Sequence, residues 1–372
     1  MQFEINKTVL IKLLSNISGV VDRKNSLPIL FNVKIEARAG KLCFTTTNMD
    51  LLIAANIENQ NITEEGETTI PVQLFHDIVK KIPDNVAIKI KLQEKDNIVS
   101  VTYGKSKFTL PCLDPIEFPI LSDGEPLNSF TIESKEFARL IDKSRFAVSN
   151  DDTRFYLNGI FLHSVINENN EIELRSVATD GHRLALSSLK SSEVTEDMPG
   201  VIIPKKTVNE IRKIIDNEEN LKISLLNNKI RIKSGDYTII SKLIDGQFPE
   251  YNQIIPKNND KVITIDKKII FDAVDRVSTI ANDQHRTVKC TLETDKISLQ
   301  VNSSDGGFAD EEVSASFKGN KIEVGFNSKY LLEIISQIDS SSINLKFDDS
   351  FSPIILNSDN LQGLYVIMPV KI

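Results

Sequence analysis

The sequence predicts an α+β protein built from three repeated domains, each with two helices packed on antiparallel sheets. Three observations lead to this prediction. The chain of 372 residues presents the same order of strand-like and helix-like patterns three times. Each copy takes up about a third of the chain, which is too long for a solenoid repeat and close to the size of a small domain. Each copy also contains two amphipathic helical segments among short runs of alternating apolar and polar residues.

Each copy begins with a strand that leads through a capping position into an apolar helical stripe. The three segments are FEINKTVLIKLLSNIS from Phe3, FTIESKEFARLIDKSR from Phe130 and ITIDKKIIFDAVDRVS from Ile263. Their apolar residues fall at equivalent positions, namely Leu10, Leu13 and Leu14, then Phe137, Leu140 and Ile141, then Ile270, Ala273 and Val274. This spacing places them on one helix face, so we expect each face to be buried.

A second helix follows later in each copy, after Ile70-Pro71, after Ile203-Pro204 and after Val324-Gly325-Phe326-Asn327. Proline suits the start of a helix because the first turn needs no amide donor. The six predicted helices span Asn6–Val21, Val72–Ile82, Ser134–Phe146, Pro204–Asp216, Asp266–Ala281 and Asn327–Ile338. The segments between them predict about eight short strands in each copy.

Short polar linkers separate the three copies. One linker is Asp123-Gly124-Glu125-Pro126 and the other is Lys257-Asn258-Asn259-Asp260. We therefore expect domains at residues 1–125, 126–256 and 257–372, with only short connections between similar units.

The charge of the chain is divided between helices and the rest. The net charge is −8, but the six predicted helices contain sixteen Lys and Arg against nine Asp and Glu, so they carry +7 and leave −15 elsewhere. Basic residues on a helix are often only a solvated face. Their segregation onto the helices nevertheless favours a surface that attracts phosphates, without sequence preference and with strong salt dependence.

Composition predicts a soluble protein of a reducing compartment. Cys43, Cys112 and Cys290 are far apart, and each lies in an apolar segment, so we expect buried thiols in strands. No apolar run is long enough to cross a membrane, and Met1-Gln2-Phe3 enters a strand directly, without a signal peptide. We therefore expect a cytoplasmic location.

Several segments together resemble one family. They are SLPIL at Ser26, RFYLNGIF at Arg154, ATDGHRLA at Ala178, VIIPKK at Val201, SKLIDGQFPEY at Ser241, IIPKNNDK at Ile254 and the C-terminal YVIMPVKI. Each alone is a weak motif. In this order and across three repeats, the chain resembles the bacterial DNA polymerase III beta subunits from end to end.

This resemblance implies a DNA-clamp fold that forms a ring as a head-to-tail homodimer. Helices would line the hole and sheets would form the outer layer, so double-stranded DNA would be encircled without sequence preference. The implied function is to tether the replicative DNA polymerase and make it processive, with no catalysis, cofactor or metal and no membrane contact. The clamp loader and repair polymerases would dock through a short peptide that carries glutamine and leucine or phenylalanine.

The resemblance also implies where that peptide docks, between the second and third domains. Its predicted lining is Leu157, Thr179, Gly181, His182, Arg183, Leu184, Pro249, Ile254, Val366, Ile367, Met368, Pro369 and Val370. Apolar side chains and an adaptable methionine would supply affinity. Gln253 stands where the family commonly has arginine, and Pro353 stands where it commonly has serine, so we expect a different preference at the rim.

For DNA, the resemblance points to Arg23, Lys24, Lys205 and Lys206, whereas the loop at 150–152 is less basic than expected. For the dimer contact it points to Phe108 and Ile280, with Lys105 and Lys107 facing the acidic stretch Asp310-Glu311-Glu312. The alternative interpretation of these residues is ordinary strand packing and surface charge.

Two other functions are weighed against a clamp. His182 near Asp180 could be an acid–base pair, but no nucleophile motif accompanies it, and His76, His163, His182 and His285 lack metal-ligand spacing. The other alternative is a protein that binds to the side of DNA without encircling it. A clamp would be distinguished from such a protein by retention that depends on whether the DNA has free ends.

Overall fold

The fold is described from a computed structural model that covers residues 1–93, 97–121, 124–215, 219–281, 286–303, 306–357 and 363–372. Asp123, Asp216 and His285, which enter the sequence predictions above, lie outside these ranges. Within them, each repeat has two α-helices and eight or nine strands, as the alternating patterns predict.

The first repeat begins with a strand that ends at Asn6, and Asn6 caps the helix that follows, because its side chain accepts a hydrogen bond from the Thr8 amide. Its elements are β1 (Gln2–Asn6), α1 (Lys7–Ile17), β2 (Asn32–Arg38), β3 (Lys41–Thr47), β4 (Leu51–Glu58), β5 (Ile62–Glu64), β6 (Gly66–Pro71), α2 (Val72–Lys81), β7 (Ala87–Gln93), β8 (Ile98–Tyr103) and β9 (Ser106–Pro111).

The second repeat follows the same order without a counterpart of β5. Its elements are β10 (Asn128–Glu133), α3 (Ser134–Arg145), β11 (Gly159–Ile166), β12 (Ile172–Thr179), β13 (Arg183–Lys190), β14 (Val201–Pro204), α4 (Lys205–Ile214), β15 (Asn220–Leu225), β16 (Lys229–Ser234) and β17 (Tyr237–Lys242).

The third repeat also has this order, and Asp266 and Asn327 cap its helices by accepting amide hydrogen bonds. Its elements are β18 (Lys261–Asp266), α5 (Lys267–Ser278), β19 (Thr287–Glu293), β20 (Lys296–Asn302), β21 (Phe308–Ser314), β22 (Ile322–Asn327), α6 (Ser328–Gln337), β23 (Ser342–Phe347), β24 (Ile354–Asn357) and β25 (Gly363–Ile367).

The predicted helix faces are confirmed, but several helix ends differ. All nine residues of the three aligned stripes are buried. Helix α1 ends at Ile17 because the chain tightens into a 3₁₀ turn at Ser18–Val20. Helix α4 begins only at Lys205, since Pro204 still pairs with Gly159 in the sheet.

The chain divides into two compact units, and the division runs through the second repeat. The first unit comprises Met1–Ala138 with Lys206–Leu243. It contains a five-stranded sheet, β5-β1-β7-β8-β9, and an eight-stranded sheet, β10-β15-β16-β17-β4-β3-β2-β6. Strand β17 of the second repeat pairs with β4 of the first in this larger sheet, with Ile240 opposite Leu52.

The second unit comprises Arg139–Lys205 with Ile244–Ile372. It contains an eight-stranded sheet, β14-β11-β12-β13-β25-β24-β23-β18, and a four-stranded sheet, β21-β20-β19-β22. Here β13 of the second repeat pairs with β25 of the third, with Leu184 opposite Val366. Each unit is therefore organised around a sheet to which two consecutive repeats contribute four strands each.

The prediction of three buried strand cysteines is only partly right. Cys290 lies in β19 and is buried, which raises the pKa of its thiol to about 12. Cys43 is half-buried on β3, and burial also raises the pKa of its thiol. Cys112 is half-buried and follows the last residue of β9, because Pro111 ends that strand. Among the described residues, no helix is both long and apolar enough to cross a membrane.

Candidate functional site

An apolar cluster in the second unit contains part of the predicted peptide pocket. Leu157, Leu184 and Val366 are all buried in it. The other buried members are Val177, Ile202, Phe248, Tyr251 and Ile355, and the half-buried residues packed on them are Tyr156, Phe161, Leu186, Ile244, Ile255 and Leu364. Three predicted residues from distant segments therefore meet in one cluster.

The turn between β12 and β13 is fixed by its own hydrogen bonds. The Thr179 hydroxyl donates to the Arg183 carbonyl oxygen at 2.7 Å and accepts from the Gly181 amide at 3.1 Å. Gly181 has φ +89°, and a Cβ there would lie 2.7 Å from Nη1 of Arg154. The position therefore requires glycine both for its backbone conformation and for the close approach of Arg154.

Arg183 is a buried cation held on every side. Its Nε donates to Asp180 at 3.1 Å, its Nη2 donates to the Phe146 carbonyl oxygen at 2.8 Å, and its Nη1 bonds Glu333. The guanidinium carbon lies 4.4 Å from the Tyr330 ring centroid and 5.1 Å from that of Phe146. Because each of its three nitrogens has a hydrogen-bond partner and two aromatic rings lie close to the guanidinium, Arg183 is a fixed part of the site.

The His182–Asp180 pair has a structural arrangement. One Asp180 oxygen accepts the amides of His182 and Arg183 at 2.9 and 3.0 Å, and the other accepts from the Arg183 side chain. The exposed His182 ring stacks on Tyr330 instead, with 6.1 Å between ring centroids. Asp180 therefore caps the turn and orients Arg183.

The C-terminal segment closes one side of the cluster. Ile367 is buried in β25, whereas Met368, Pro369 and Val370 are half-buried beyond it. The Val370 amide donates to the Gly325 carbonyl oxygen at 2.9 Å, which fastens this segment to β22. The three half-buried residues thus form a fixed edge beside the buried floor.

Pro249 and Ile254 lie on the loop that follows β17. Pro249 lines a cleft of about 450 Å³ together with Phe161, Phe248 and Tyr251. Ile254 is exposed, and its neighbour Ile255 packs on the cluster instead. The rim residues that depart from the family pattern are placed differently: Gln253 is exposed, whereas the Pro353 carbonyl oxygen accepts a hydrogen bond from Asn259 at 2.9 Å.

His163 lies inside this cleft and is stacked on Phe161, with 4.5 Å between ring centroids. Its Nδ1 lies 3.2 Å from the Ser164 carbonyl oxygen and its Nε2 lies 3.1 Å from the Tyr251 hydroxyl. Burial lowers the pKa of His163 below 6.5, and the nearby Arg175 charge acts in the same direction. A neutral ring that donates from Nδ1 and accepts at Nε2 fits this setting.

Sequence reasoning missed Phe146, Tyr330 and Glu333, which surround Arg183. Tyr330 and Glu333 are three residues apart on α6, the spacing that brings two side chains together on one helix face. That spacing can be recognised in the sequence, but the contact of Tyr330 and Glu333 with Arg183 depends on tertiary packing.

The predicted DNA residues are divided between the two units, with Arg23, Lys24 and Lys206 in the first and Lys205 in the second. Arg23 and Lys24 are exposed in the loop after α1. Lys206 donates to the Val20 carbonyl oxygen at 2.6 Å and to Asp22 at 2.5 Å, so it holds the loop that carries them. Partial burial would raise the pKa of Asp22, but hydrogen bonds from Lys206 and Asn48 outweigh it and lower the pKa below 3.8.

Lys205 belongs to the other unit, although it precedes Lys206 in the chain. Its ammonium donates to Asn150 at 2.7 Å. Burial and the Arg183 charge lower the pKa of Lys205, and Glu333 partly offsets them. Nearby Asp151 accepts hydrogen bonds from Thr153 and Arg154, which hold its pKa at about 2.

The predicted dimer residues lie at two sheet edges. Phe108 is on the edge strand β9 and stacks on Tyr103 with 6.4 Å between centroids, while Lys105 and Lys107 are exposed. The other edge is strand β21. Beside its start, Ile280 packs closely on Gly307, because a Cβ atom on Gly307 would lie 2.8 Å from Cγ2 of Ile280.

Strand β21 begins directly after Gly307 and is one of the two edge strands of the four-stranded sheet. It carries the acidic stretch Asp310-Glu311-Glu312. Glu311 is paired with Arg276, and Glu312 is 2.7 Å from Lys296, whereas Asp310 is exposed.

Three family models match successive parts of the chain. They are described as the N-terminal, central and C-terminal domains of the DNA polymerase III beta subunit, and they match residues 1–122, 131–250 and 252–371. Proteins named beta sliding clamp are similar over the full length of both chains, at 37% identity in Caulobacter vibrioides and 31% in Escherichia coli.

Solved structures show the same similarity. A sliding clamp of Bartonella birtlesii, bound to griselimycin, is 38% identical and superposes with a TM-score of 0.96 over 100% of both chains. A Caulobacter crescentus beta sliding clamp is 36% identical, with a TM-score of 0.95 over 100% of this chain and 99% of that one.

Proposed function

Because the chain belongs to the DNA polymerase III beta subunit family of non-catalytic sliding clamps, we propose that two copies close head to tail into a ring around duplex DNA. The ring then tethers a polymerase to its template and makes it processive. We also propose a cytoplasmic location, because the partners of such a ring are chromosomal DNA and the replication machinery. The observation that carries the proposal is that β9 and β21, whose counterparts in the other repeats pair with a neighbouring repeat, are edge strands within the described part of the chain.

The repeats join by a common strand pairing. In the first unit β17 pairs with β4, and in the second unit β25 pairs with β13. By order within the repeats, β9 is the counterpart of β17 and β25, and β21 is the counterpart of β4 and β13. Strands β9 and β21 are each the last strand of their sheet. A second copy supplies the missing partner for each, and a closed dimer leaves neither edge open.

The two existing junctions predict the register of this third one. Strands β4, β13 and β21 each follow a turn from the preceding strand, and the first pair across that turn aligns them. These pairs are Thr47 with Leu52, Thr179 with Leu184 and Asn302 with Phe308, so Phe308 corresponds to Leu52 and Leu184. The hairpins that precede β9 and β17 align Ser106 with Tyr237 in the same way.

Transferring the observed pairs then sets three facing pairs across the dimer contact. Leu52 faces Ile240 in the first unit, and the corresponding residues of the dimer contact are Phe308 and Thr109. Ile53 faces Ile239, and the corresponding residues are Ala309 and Phe108. The next pair puts Lys107 opposite Asp310.

This register explains the charges at the two edges. Lys107 meets the exposed Asp310 of the other copy, an opposite-charge pair of the kind that stabilises adjacent strands. Lys105 comes opposite Glu312, which already bonds Lys296 in its own chain. Lys107 therefore contributes more to the contact than Lys105 does.

DNA retention follows from enclosure. Arg23 and Lys24 are exposed for phosphate contacts, and Lys206 holds their loop in place through Asp22. Such contacts are weak, independent of sequence and sensitive to salt, which permits sliding. The closed ring supplies persistence.

Partner peptides dock beside the C-terminal segment of the second unit. The floor is the buried cluster around Leu157, Leu184 and Val366, and the half-buried Met368 forms an adaptable edge. Arg183 is already occupied by Asp180 and Glu333, so it shapes the pocket and leaves peptide contacts to Met368, Pro369 and His182.

A charge exchange tests the ring. Lys107→Asp alone should raise the dimer dissociation constant about tenfold or more, because like charges then face each other twice per ring. Combining it with Asp310→Lys should restore most of the affinity, and Lys105→Asp should have a smaller effect. Sedimentation over a concentration series measures these constants. Unchanged dimerisation in Lys107→Asp, or no rescue in the double variant, would contradict this register.

A further inference from the structure

The first unit contains a turn built like the one beside the peptide pocket. The Thr47 hydroxyl donates to the Leu51 carbonyl oxygen at 3.0 Å and accepts from the Met49 amide at 3.0 Å. Asn48 accepts the amides of Asp50 and Leu51 at 3.1 and 2.8 Å, as Asp180 does in the other turn. These bonds match those of the 179–183 turn one for one.

The end of the adjoining strand is attached in the same way. The Lys242 amide donates to the Asp50 carbonyl oxygen at 2.8 Å, as the Met368 amide does to His182 at 2.9 Å. Both attachments end a strand, β17 or β25, that joins two repeats. The frame of the peptide pocket is thus present a second time, within one unit of the chain.

Part of the apolar floor is also repeated. Ile29, Leu30 and Phe118 form a buried cluster in the first unit. Leu30 precedes β2 by two residues, as Leu157 precedes β11, and Phe118-Pro119 follows β9 as Phe248-Pro249 follows β17. Leu30 and Phe118 therefore correspond to Leu157 and Phe248, which lie together in the cluster of the second unit.

Large apolar side chains are exposed around this floor. Ile116 is 85% exposed and Ile120 is 75% exposed, on either side of Phe118 in the chain. Leu27 and Met49 are 46% and 44% exposed on the segments that carry Leu30 and the turn. Ile116, Ile120 and Leu27 each lie within three residues of a member of the buried cluster in the chain, and exposed apolar residues gathered in this way are typical of a docking surface.

Met49 is the residue of the 47–51 turn that corresponds to Gly181. Its φ is +75°, the left-handed region where the equivalent turn has Gly181. A methionine held there is strained by about 1 kcal/mol or more, and such strain is concentrated at functional sites. An exposed, flexible methionine is also well suited to contact variable apolar partners.

The rim differs from that of the first pocket in charge. Leu51 stands at the position of Arg183, and Lys242 is paired with Asp50 at 2.9 Å, so neither offers a free positive charge. Asp114 and Glu117 flank the exposed Ile116. This side of the surface is therefore acidic and favours a ligand that carries positive charge.

We propose that the first repeat carries a second docking surface, built on Phe118 and exposed through Ile116 and Ile120. Its occupant is an extended partner peptide with two large apolar side chains and a flanking lysine or arginine. The choice of a peptide rests on the proposed function of the equivalent pocket, whereas the basic flank rests on the charges of this rim.

Titration of the full-length protein with a synthetic peptide tests this surface. The probe carries glutamine, leucine and phenylalanine between flanking lysines, plus a photoreactive group, and a matched probe has glutamates in place of the lysines. Calorimetry should detect two sites per chain. Ile116→Ser combined with Ile120→Ser should weaken the second site about tenfold or more, and the glutamate probe should bind it less well.

Control variants separate this inference from the proposed function. Met368→Ala should weaken only the first site, and Ile166→Ser, another exposed apolar residue, should change neither. Crosslinks should map to residues 113–121 and disappear in the double serine variant. A single site per chain with no crosslink there would overturn the second surface. A change in oligomeric state on the double substitution would also overturn it, because the occupant would then be another copy. Two sites that both survive Met368→Ala would contradict the first pocket instead.

Discussion

The backbone amide of Met368 donates to the carbonyl oxygen of His182 at 2.9 Å, which ties the end of β25 to the turn after β12. This bond fixes where the half-buried Met368 side chain sits relative to the floor. Leu184, two residues beyond His182, is only 1% exposed. A substitution of Met368 would therefore report on peptide binding, whereas a substitution of Leu184 would also change the stability of the fold.

Met368→Ala should weaken binding of a glutamine-leucine-phenylalanine peptide about tenfold or more, because an edge residue of a docking site loses its contact area. The melting temperature should change little, since Met368 is half-buried. Leu184→Ala would instead remove about 2–5 kcal/mol of stability and confuse the result. Calorimetry with Ile166→Ala as control makes the measurement, and unchanged affinity would move the site elsewhere.

Ile280→Asp should produce monomers at concentrations where the native protein is dimeric. Ile280 packs on Gly307 at the start of the edge strand β21, so an aspartate there places a charge in the contact. Light scattering measures the outcome. Ile269→Asp, at an exposed position of helix α5, which ends two residues before Ile280, should remain dimeric. If the Ile280 variant remains dimeric too, that residue is outside the interface.

Arg23→Ala combined with Lys24→Ala should weaken DNA binding and reduce its salt dependence. If both contact phosphates, the slope of log affinity against log salt should become less steep by about 1.8. Fluorescence anisotropy at several salt concentrations measures the slope. Lys190→Ala on β13, where Lys190 pairs with Glu171, should leave it unchanged. An unaltered slope in the double variant would exclude phosphate contacts by this loop.

Periodicity predicted the repeated framework because the same burial requirement recurs in each copy. The stripes at Leu10, Phe137 and Ile270 are buried as expected. Features set by tertiary contact were not readable. Lys205 and Lys206 are adjacent in sequence but belong to different units, and the partners of Arg183 come from three separate segments. The end of β9 at Pro111 likewise placed Cys112 outside a strand.

The free energy of unfolding should fall as the pH drops below about 7, in part through His163. Burial lowers its pKa in the folded state below 6.5, so the unfolded chain binds more protons in this range. The loss of unfolding free energy begins near the pKa of His163 in the unfolded chain and is complete below its pKa in the folded protein. Denaturant titrations of wild type and His163→Gln should diverge in pH dependence, with the variant less sensitive. Parallel curves would show that His163 does not titrate differently on folding.

The most direct test of the clamp account is retention on closed and open DNA. After loading by an ATP-driven partner, the protein should remain on nicked circular DNA far longer than on the same DNA linearised, because only the linear form has ends. Raising the salt should weaken direct contacts on both, yet release from the circle should stay slow until the dimer opens. Equal release from circular and linear DNA, with steep salt dependence on each, would contradict enclosure and identify a lateral binder.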